Sequence, residues 1–335
     1  MKFLILGGTG NLSSIATRKL LEEGHTVHCV TRGSNRMLEA ELETLGAIFL
    51  HSAGTNKLLT DGWIQPEIRY DFVLDFIAYT PEHAANRVKC LYRNVRLGYV
   101  YISTTAFYRR SMSRSSPLRE DTVEISRSWD YASDKYDAEL VFKRASQSAD
   151  FKTLVIRLGH TIGTSIPVYL GNPGRAFIDH ISIGAPIPFI GSLDQRWSVG
   201  SAAGLSRILC MLPTVAESLP NYYTFHYSEV ETTWRILYED LCECLGINNP
   251  GYALLEISDV IKHTPEWLPS IVNHKIYEDR YCLERMKQYF GDKQGKQLKE
   301  IIGYACTSTL SGKSEESYEF NRQKLELLVN ESRRH

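Results

Sequence analysis

The feature that most constrains this chain is an alternation of short apolar runs and helical segments through its first half. Six runs have the length and composition of buried strands: KFLIL, TVHCV, AIFLH, YDFVLD, GYVYIS and KTLVIRL. Helical spacing of apolar residues marks segments between them, as in SSIATRKLLEEG and YASDKYDAELVFKRAS. Parallel strands need crossover connections, which are usually helices. The sequence therefore predicts an α/β fold with a doubly wound parallel sheet.

The first strand–helix junction carries a glycine fingerprint in the run LILGGTGNLSS. Gly7 and Gly10 occupy its first two positions, and Ser13 stands at the third, where glycine or alanine is usual. Glycines at such a junction permit a tight turn and let a pyrophosphate approach the free N–H groups of the helix. The pattern is typical of dinucleotide-binding Rossmann domains. The residues predicted to contact the cofactor here are Gly7, Thr9, Gly10, Asn11 and Leu12.

The end of the second strand bears on the choice of cofactor. NAD-specific folds often place a carboxylate there for the ribose hydroxyls, whereas this strand ends CVTRGSNR. Thr31, Arg32, Ser34 and Arg36 cluster instead, and a guanidinium pairs well with a 2′-phosphate. A solvated basic loop is the alternative interpretation. The sequence therefore favours NADP(H), through Thr31, Arg32 and Arg36, and leaves NAD(H) possible.

The stretch WDYASDKYDAE places Tyr131 four residues before Lys135, on one face of a predicted helix. A lysine cation there would favour the phenolate and lower the phenol pKa from about 10. One such pair is about what chance supplies in a chain of this length, so the pair alone does not decide the matter. The preceding strand ends with Ser103, Thr104 and Thr105, where parallel strands face the ligand crevice.

In this order the motifs resemble those of the extended short-chain dehydrogenase/reductase family, the NAD(P)-dependent nucleotide-sugar epimerases and dehydratases. The resemblance covers roughly residues 1 to 310 and is strongest to residue 160. It implies that Tyr131 exchanges a proton with the substrate hydroxyl, that Lys135 lowers the phenol pKa and holds the nicotinamide ribose, and that Thr104 fixes the reacting oxygen. It also places Ala78 and Tyr79 along the cofactor.

Several positions depart from the pattern of this family. Its dehydratases carry a carboxylate one or two residues after the catalytic threonine, and here Thr105 and Ala106 take those places. A dehydratase is therefore disfavoured, although Glu120 or Asp121 in the loop LREDTVE could substitute.

The segments that contact the substrate in this family also differ from the family pattern here. His160 stands where an asparagine usually binds the substrate diphosphate, and Arg196 is kept as a candidate phosphate ligand. A histidine bonded within its loop and a surface arginine are the alternatives. The predicted substrate-binding residues are Thr105, His160 and Arg196.

Two enzymatic functions remain open from the sequence. The first is an epimerase or oxidoreductase that acts on a hydroxyl or ketone of a sugar, expected to be a nucleotide sugar. The second is a net NADPH-dependent ketoreductase of a sugar or other small carbonyl compound. A third, non-enzymatic alternative is an RNA-associated relative of this fold, but a net charge of −1 and the lack of a basic stripe argue against nucleic acid.

The domain organisation follows from where the alternation stops. We expect a Rossmann domain at 1–158 plus about 196–228, a mixed and mostly helical substrate lobe at 159–195 plus about 229–312, and a charged tail at 313–335. The seven scattered cysteines indicate reduced thiols and suggest no metal site. No apolar run is long enough to span a bilayer. We therefore expect a cytoplasmic protein without a membrane partner, and the family resemblance implies a homodimer.

Overall fold

The structure, a computed structural model, describes residues 1–52, 67–111, 116–122, 124–292, 297–311 and 318–333. Its main sheet has seven parallel strands in the order β10-β6-β5-β4-β1-β2-β3. These strands are β1 (Lys2–Leu6), β2 (Thr26–Thr31), β3 (Ile48–His51), β4 (Tyr70–Asp75), β5 (Val95–Thr104), β6 (Lys152–Leu158) and β10 (Tyr222–Tyr227). The predicted doubly wound parallel sheet is confirmed.

Helices cover both faces of this sheet. They are α1 (Ser13–Glu22), α2 (Arg36–Thr44), α3 (Pro81–Leu91), α4 (Asp130–Ala145) and α6 (Ala202–Val215). Helices α1 and α6 pack together over one apolar face, and α3 and α4 pack together over the other. Local sequence sets their starts, because Asn35, Thr80 and Ser201 each accept a hydrogen bond from the first turn of the helix that follows. These helices cover the faces of the sheet and leave the carboxyl ends of its strands uncovered along one edge.

A smaller lobe lies over that edge and is built on a separate apolar core. One of its sheets joins β7 (His160–Ile162), β9 (Arg196–Ser201) and β11 (Val230–Thr233), and a second pairs β8 (Ile187–Ile190) with β12 (Tyr252–Leu255). Its helices are α5 (Arg175–Ser182), α7 (Trp234–Leu245), α8 (Ile257–His263), α9 (Leu268–Ser270), α11 (Leu298–Ser311) and α12 (Tyr318–Ser332). Helix α10 (Glu284–Phe290) packs instead against β10 and α6 of the main domain. The sequence predicts that the chain returns to the Rossmann domain at about residue 196. In the structure, residue 196 begins β9, which pairs with strands of the lobe, and the chain returns to the main sheet with the helix α6 that follows.

Helix α12 lies within the segment that the sequence describes as a charged tail. Its buried side chains include Leu325 and Leu328, and they join the apolar core of the lobe. At the start of the helix the Tyr318 hydroxyl donates to Asp179 at 2.7 Å. Near its end Lys262 donates to Glu331 at 2.8 Å. The tail therefore docks on the lobe through both apolar and polar contacts.

Candidate active site

The turn from β1 into α1 explains the unusual serine in the glycine fingerprint. Gly7 has a φ of 85°, a conformation that side chains with a Cβ rarely adopt. The Ser13 hydroxyl donates to the Gly7 carbonyl and accepts from the Gly10 N–H at 2.9 Å. Ser13 therefore closes the turn with side-chain hydrogen bonds. A cradle of this kind at a helix N-terminus fits a pyrophosphate.

We expect Gly7→Ala to abolish cofactor binding. A Cβ there would lie 2.5 Å from the Cγ2 of Ile77, whose own N–H is held by Asp75, so the turn would have to shift. Gly24→Ala is the matched control, because Gly24 also has a positive φ of 77° but nothing within 4 Å of its added Cβ. The control should cost about 1 kcal/mol of unfolding free energy and keep cofactor affinity. Urea unfolding and titration of NAD(P)H fluorescence measure both effects, and unchanged affinity in Gly7→Ala would contradict the assignment.

A cleft of about 420 Å³ lies between the open edge of the main sheet and the smaller lobe. The main domain contributes the glycine turn, the ends of β4 and β5, and the start of α4. The lobe side contributes residues that follow β6 and one histidine from a later helical turn. The lining residues used below are Gly7, Gly10, Asn11, Leu12, Ile77, Tyr79, Thr104, Trp129, Tyr131, Lys135, His160, Thr161 and His274.

The predicted catalytic residues Tyr131, Lys135 and Thr104 meet in this cleft. Tyr131 and Lys135 lie one turn apart in α4, and Thr104 ends the adjacent strand β5. Burial raises the pKa of the Tyr131 phenol to about 12, the neighbouring Tyr79 raises it further, and a hydrogen bond with Thr104 acts in the opposite direction. Thr104 also accepts the N–H of Ala106 at 3.1 Å, which fixes its hydroxyl. The arrangement holds a protonated phenol beside a second hydroxyl.

Lys135 is buried and its ammonium group is directed to main-chain oxygens. Its Nζ donates to the carbonyls of Ala78 at 3.0 Å and Ile102 at 2.6 Å. Burial lowers the pKa of Lys135 to about 7, and the carboxylates of Asp75 and Glu139 oppose that shift. That Lys135 lowers the phenol pKa stays a prediction, because the causes of the Tyr131 shift in this structure are burial, Tyr79 and Thr104.

Asp75, which sequence reasoning missed, holds the cofactor-facing turn after β4. Its Oδ1 accepts the N–H groups of Ile77 and Ala78, each at 2.9 Å. Its Oδ2 pairs with the fully buried Arg87 and accepts the Tyr99 hydroxyl at 2.6 Å. The only sequence signal was an acidic residue at the end of an otherwise apolar strand. The turn it fixes carries Ala78, which is fully buried, and the following Tyr79, which lines the cleft.

The end of β2 holds a buried carboxylate that sequence reasoning also missed. Glu39 of α2 accepts the Thr31 hydroxyl at 2.5 Å and lies 3.0 Å from His51. Arg36 donates to the same carboxylate at 3.3 Å, whereas Arg32 is exposed. Local sequence patterns did not reveal this carboxylate, because Glu39 lies in the first turn of helix α2 and not at the end of the strand. Thr31 and Arg36 are thus engaged with Glu39, although the Arg36 side chain is exposed, as Arg32 is.

Asn11 connects the glycine turn to the lobe. Its side-chain oxygen accepts the Thr164 N–H at 2.6 Å, the Thr164 hydroxyl at 2.9 Å and the Ser165 N–H at 3.0 Å. Thr9 lies on the outer side of the turn, in a separate pocket that Asn11 also lines. The Asn11 side chain therefore serves this connection, and Leu12 beside it lines the main cleft.

The predicted substrate-binding residues lie in three different environments. His160 lines the cleft, with its ring 5.3 Å from that of Trp234. Thr105 is fully buried, and its hydroxyl is engaged with the Leu158 carbonyl at 3.1 Å and the Tyr281 hydroxyl at 2.7 Å. Arg196 is an exposed residue at the start of β9. The structure thus differs from the prediction for Thr105 and Arg196, and brings only His160 to the cleft.

A π-helical turn at Ile271–Lys275 brings His274 to the cleft, which no sequence signal indicated. Such turns are frequent at functional sites. The His274 Nε2 lies 2.9 Å from Asp279, a short but poorly aligned contact. Asp279 also accepts Arg110 at 2.6 Å. Burial lowers the pKa of His274, Arg110 lowers it further, and the adjacent Asp279 carboxylate acts in the opposite direction.

The two carboxylates that could have replaced the dehydratase acid/base lie outside the cleft lining. Glu120 is buried and accepts the His226 N–H of β10 at 3.0 Å. Asp121 is exposed beside Arg119, at 3.9 Å. The structure therefore gives neither residue a place beside Tyr131.

The comparisons with known proteins agree with this geometry. A sequence model of the NAD dependent epimerase/dehydratase family matches residues 3–222. The chain belongs to this family. No curated protein sequence matches the chain. Among the described residues, no helix has the length and apolarity to cross a membrane, and no group of three or more His, Cys, Asp or Glu side chains could hold a metal ion.

Solved structures of two sugar epimerases and of a further enzyme share the fold. A UDP-glucuronic acid 4-epimerase from Bacillus cereus, in complex with UDP-glucuronic acid and NAD, is 13% identical, with 92% of this chain and 99% of that chain covered and a TM-score of 0.70. A UDP-glucose 4-epimerase from Thermotoga maritima, with UDP-glucose, is 16% identical, with 93% and 100% covered and a TM-score of 0.68. The Bordetella bronchiseptica enzyme WbmH, in complex with NAD+, is 18% identical, with 92% and 98% covered and a TM-score of 0.67.

Proposed function

We propose that this protein is an NAD(P)-dependent enzyme that interconverts a hydroxyl and a ketone of a sugar. The observation that carries the proposal is the meeting of Tyr131, Lys135 and Thr104 in one cleft with the glycine turn. The turn fits a dinucleotide, because Gly7 leaves room that a Cβ would fill and Ser13 closes the turn with hydrogen bonds to Gly7 and Gly10 at the start of α1. A bound nicotinamide would supply the hydride acceptor and donor.

The protein's own residues then handle the substrate oxygen and its proton. Thr104 would donate to or accept from that oxygen and hold it beside the phenol. Tyr131 would take the hydroxyl proton during oxidation and return it during reduction, as a general acid/base. With a phenol pKa of about 12, proton return is the easier direction at neutral pH. Lys135 would support the site by donating hydrogen bonds to the Ala78 and Ile102 carbonyls. When a cofactor is bound, its ammonium group could donate to the ribose hydroxyls in place of these carbonyls.

Two outcomes of this chemistry remain candidates, an epimerase and a net NADPH-dependent ketoreductase. The nucleotide sugars in the names of the structural relatives support a sugar substrate. Dehydration is disfavoured because Thr105 is engaged with Leu158 and Tyr281, and Glu120 with His226. The homodimer and the cytoplasmic location stay predictions.

We expect turnover to occur without loss of water, and mass spectrometry of the product tests this. Sugars, nucleotide sugars and small ketones are incubated with the protein and either NAD(P)+ or NAD(P)H. A product of unchanged mass that separates from the substrate by chromatography fits an epimerase, and a gain of two hydrogens with oxidation of NADPH fits a reductase. A product lighter by one water, formed only when Tyr131 is intact, would contradict the prediction. If the protein neither oxidises, reduces nor epimerises any of these compounds, the result would count against the proposed function.

We also propose NADP(H) as the preferred cofactor. We expect Arg32→Ala to reduce the difference in affinity between NADP(H) and NAD(H). Arg32 is exposed at the end of β2, where the 2′-phosphate of a bound cofactor would lie. Loss of a charge-assisted hydrogen bond should cost about 1–3 kcal/mol of NADP affinity and leave NAD affinity unchanged. Arg36→Ala is the comparison, because Arg36 already donates to Glu39 and should contribute less. Equal affinity of the unmodified protein for both cofactors in a fluorescence titration would refute the preference.

A further inference from the structure

The wall that the lobe gives to the cleft is rich in rings and poor in positive charge. His160 contacts both Trp234 and Trp197, with ring centroids 5.3 and 6.1 Å away. His274 packs on Trp197 at 4.9 Å. Burial lowers the pKa of His160 to about 3 and also lowers that of His274. The His160 imidazole is therefore neutral at pH 7, and the His274 imidazole lies 2.9 Å from the Asp279 carboxylate.

The nearest lysine of the lobe is already engaged. Lys275 lines an adjoining pocket of about 220 Å³, which shares His160 and Thr161 with the cleft. Its Nζ donates to the carbonyls of Val168 at 2.9 Å and Tyr169 at 2.5 Å. Burial lowers the pKa of Lys275 to about 7. Its ammonium group is thus half-titrated at neutral pH and is already bonded to two main-chain oxygens.

A buried ion pair lies directly behind this wall. Asp279 is fully buried beside His274, and the charges of His274 and Arg110 hold the pKa of its carboxyl well below the usual range. The guanidinium of Arg110 is buried against that same carboxylate at 2.6 Å. Arg196, the guanidinium that the sequence suggested for a phosphate, is exposed at the start of β9. Among the described residues that line the cleft and the adjoining pocket, none is an arginine.

A diphosphate would be poorly compensated against such a wall. Its charges would have to leave water beside imidazole and indole rings, with no arginine among the described lining residues to pair with them. Burying charge without a partner costs several kcal/mol. An uncharged ring meets no such penalty, because apolar and aromatic walls with a few polar groups are what small neutral ligands use. Trp129, which lines the cleft with its ring 5.2 Å from Tyr131, adds a further aromatic surface beside the reacting position.

We propose that the lobe half of the cleft accepts an uncharged substrate, a free sugar or a glycoside with a neutral aglycone, and excludes nucleoside diphosphates. This rests on the proposed function, since it assumes that the reacting group is a hydroxyl or ketone of a sugar at Tyr131. It departs from the nucleotide sugar that the family resemblance implies, and the reason is the charge of the wall.

Titration of UDP and of UDP-glucose into the protein saturated with NADPH tests the proposal. The reduced cofactor occupies the dinucleotide site, so that UDP cannot bind there in its place. Isothermal titration calorimetry at about 0.1 M salt, where charge pairing is still felt over about 10 Å, should show no saturable binding up to about 1 mM. Saturable binding of UDP with a dissociation constant below about 1 mM, a binding free energy of about −4 kcal/mol, would overturn the proposal.

A turnover screen separates failure of this proposal from failure of the proposed function. Neutral sugars, phenyl glycosides and UDP-sugars are offered to the protein with NAD(P)+ or, as their keto forms, with NAD(P)H. Oxidation or reduction of the cofactor is followed by absorbance, and epimerisation is followed by chromatographic separation of the product from the substrate. Tyr131-dependent reaction of a neutral sugar or glycoside supports both proposals. Tyr131-dependent reaction of a UDP-sugar upholds the proposed function and overturns the uncharged substrate. If no sugar of either kind reacts in either direction, the proposed function fails, while the UDP titration still decides whether the wall excludes a diphosphate.

Discussion

Replacing Tyr131 with phenylalanine should lower turnover about 10²- to 10⁴-fold, the usual contribution of a positioned acid/base. The change removes one oxygen from a ring that is 40% exposed at the cleft, so little packing is lost. Cofactor affinity and the urea midpoint should stay close to those of the unmodified protein. Steady-state kinetics on the substrate found by the screen, with cofactor titration alongside, give the comparison.

Tyr136→Phe is the matched control for this experiment. Tyr136 lies in the same helix α4, but its ring packs against Phe107 and Arg127, and it is not among the residues that line the cleft. Its variant should keep near-normal turnover. A Tyr131→Phe protein as active as the Tyr136→Phe protein would remove Tyr131 from the mechanism and leave the fold unaffected.

The expected pH dependence of this reaction follows from the same two groups. The pKa of Tyr131 is raised to about 12 and that of Lys135 is lowered to about 7. Oxidation of a hydroxyl needs the phenolate, so its rate should keep rising with pH above neutrality. Reduction of a ketone needs the protonated phenol, so its rate should not fall through loss of that proton below about pH 12. Between pH 6 and 8 the change of charge belongs to Lys135.

Sequence order was enough to predict the main domain and the catalytic cluster. Thr104 ends a strand and Tyr131 and Lys135 start the next helix, so topology alone brings them to the same edge of the sheet. The glycine turn was predictable for the same reason. Thr105 was misplaced because side chains alternate in direction along a strand, so that neighbours such as Thr104 and Thr105 do not share one surface.

Other parts of the cleft could not be read from local patterns. His274 comes from an irregular turn of the lobe, and its contact with Asp279 depends on how that turn packs against Trp197. The direction of the Lys135 ammonium depends on two carbonyls from different strand ends. Spacing of four residues brings Lys135 near Tyr131, but burial decides the charge that each side chain carries. These are tertiary properties, and they determine the chemistry as much as the motif does.

The largest loss of stability is expected from Glu139→Ala, on the buried face of helix α4. The Glu139 carboxylate is 1% exposed, accepts Arg157 at 2.8 Å and 3.1 Å, and accepts the Ser103 hydroxyl of β5. Its removal leaves the guanidinium of Arg157 buried without its anion, which costs about 3–5 kcal/mol. The fall in the free energy of unfolding is measured by urea denaturation.

Two further variants show whether this loss comes from an unpaired buried charge. Asp137→Ala breaks an exposed ion pair of the same helix, the 2.7 Å contact with Arg127, and should cost less than about 1 kcal/mol. Glu139→Met combined with Arg157→Met removes both buried charges and should cost less than Glu139→Ala alone. If Glu139→Ala were no more destabilising than Asp137→Ala, the buried pair would not be what holds α4 against β5 and β6. Tyr131 and Lys135 would then owe their position to the apolar contacts of the helix.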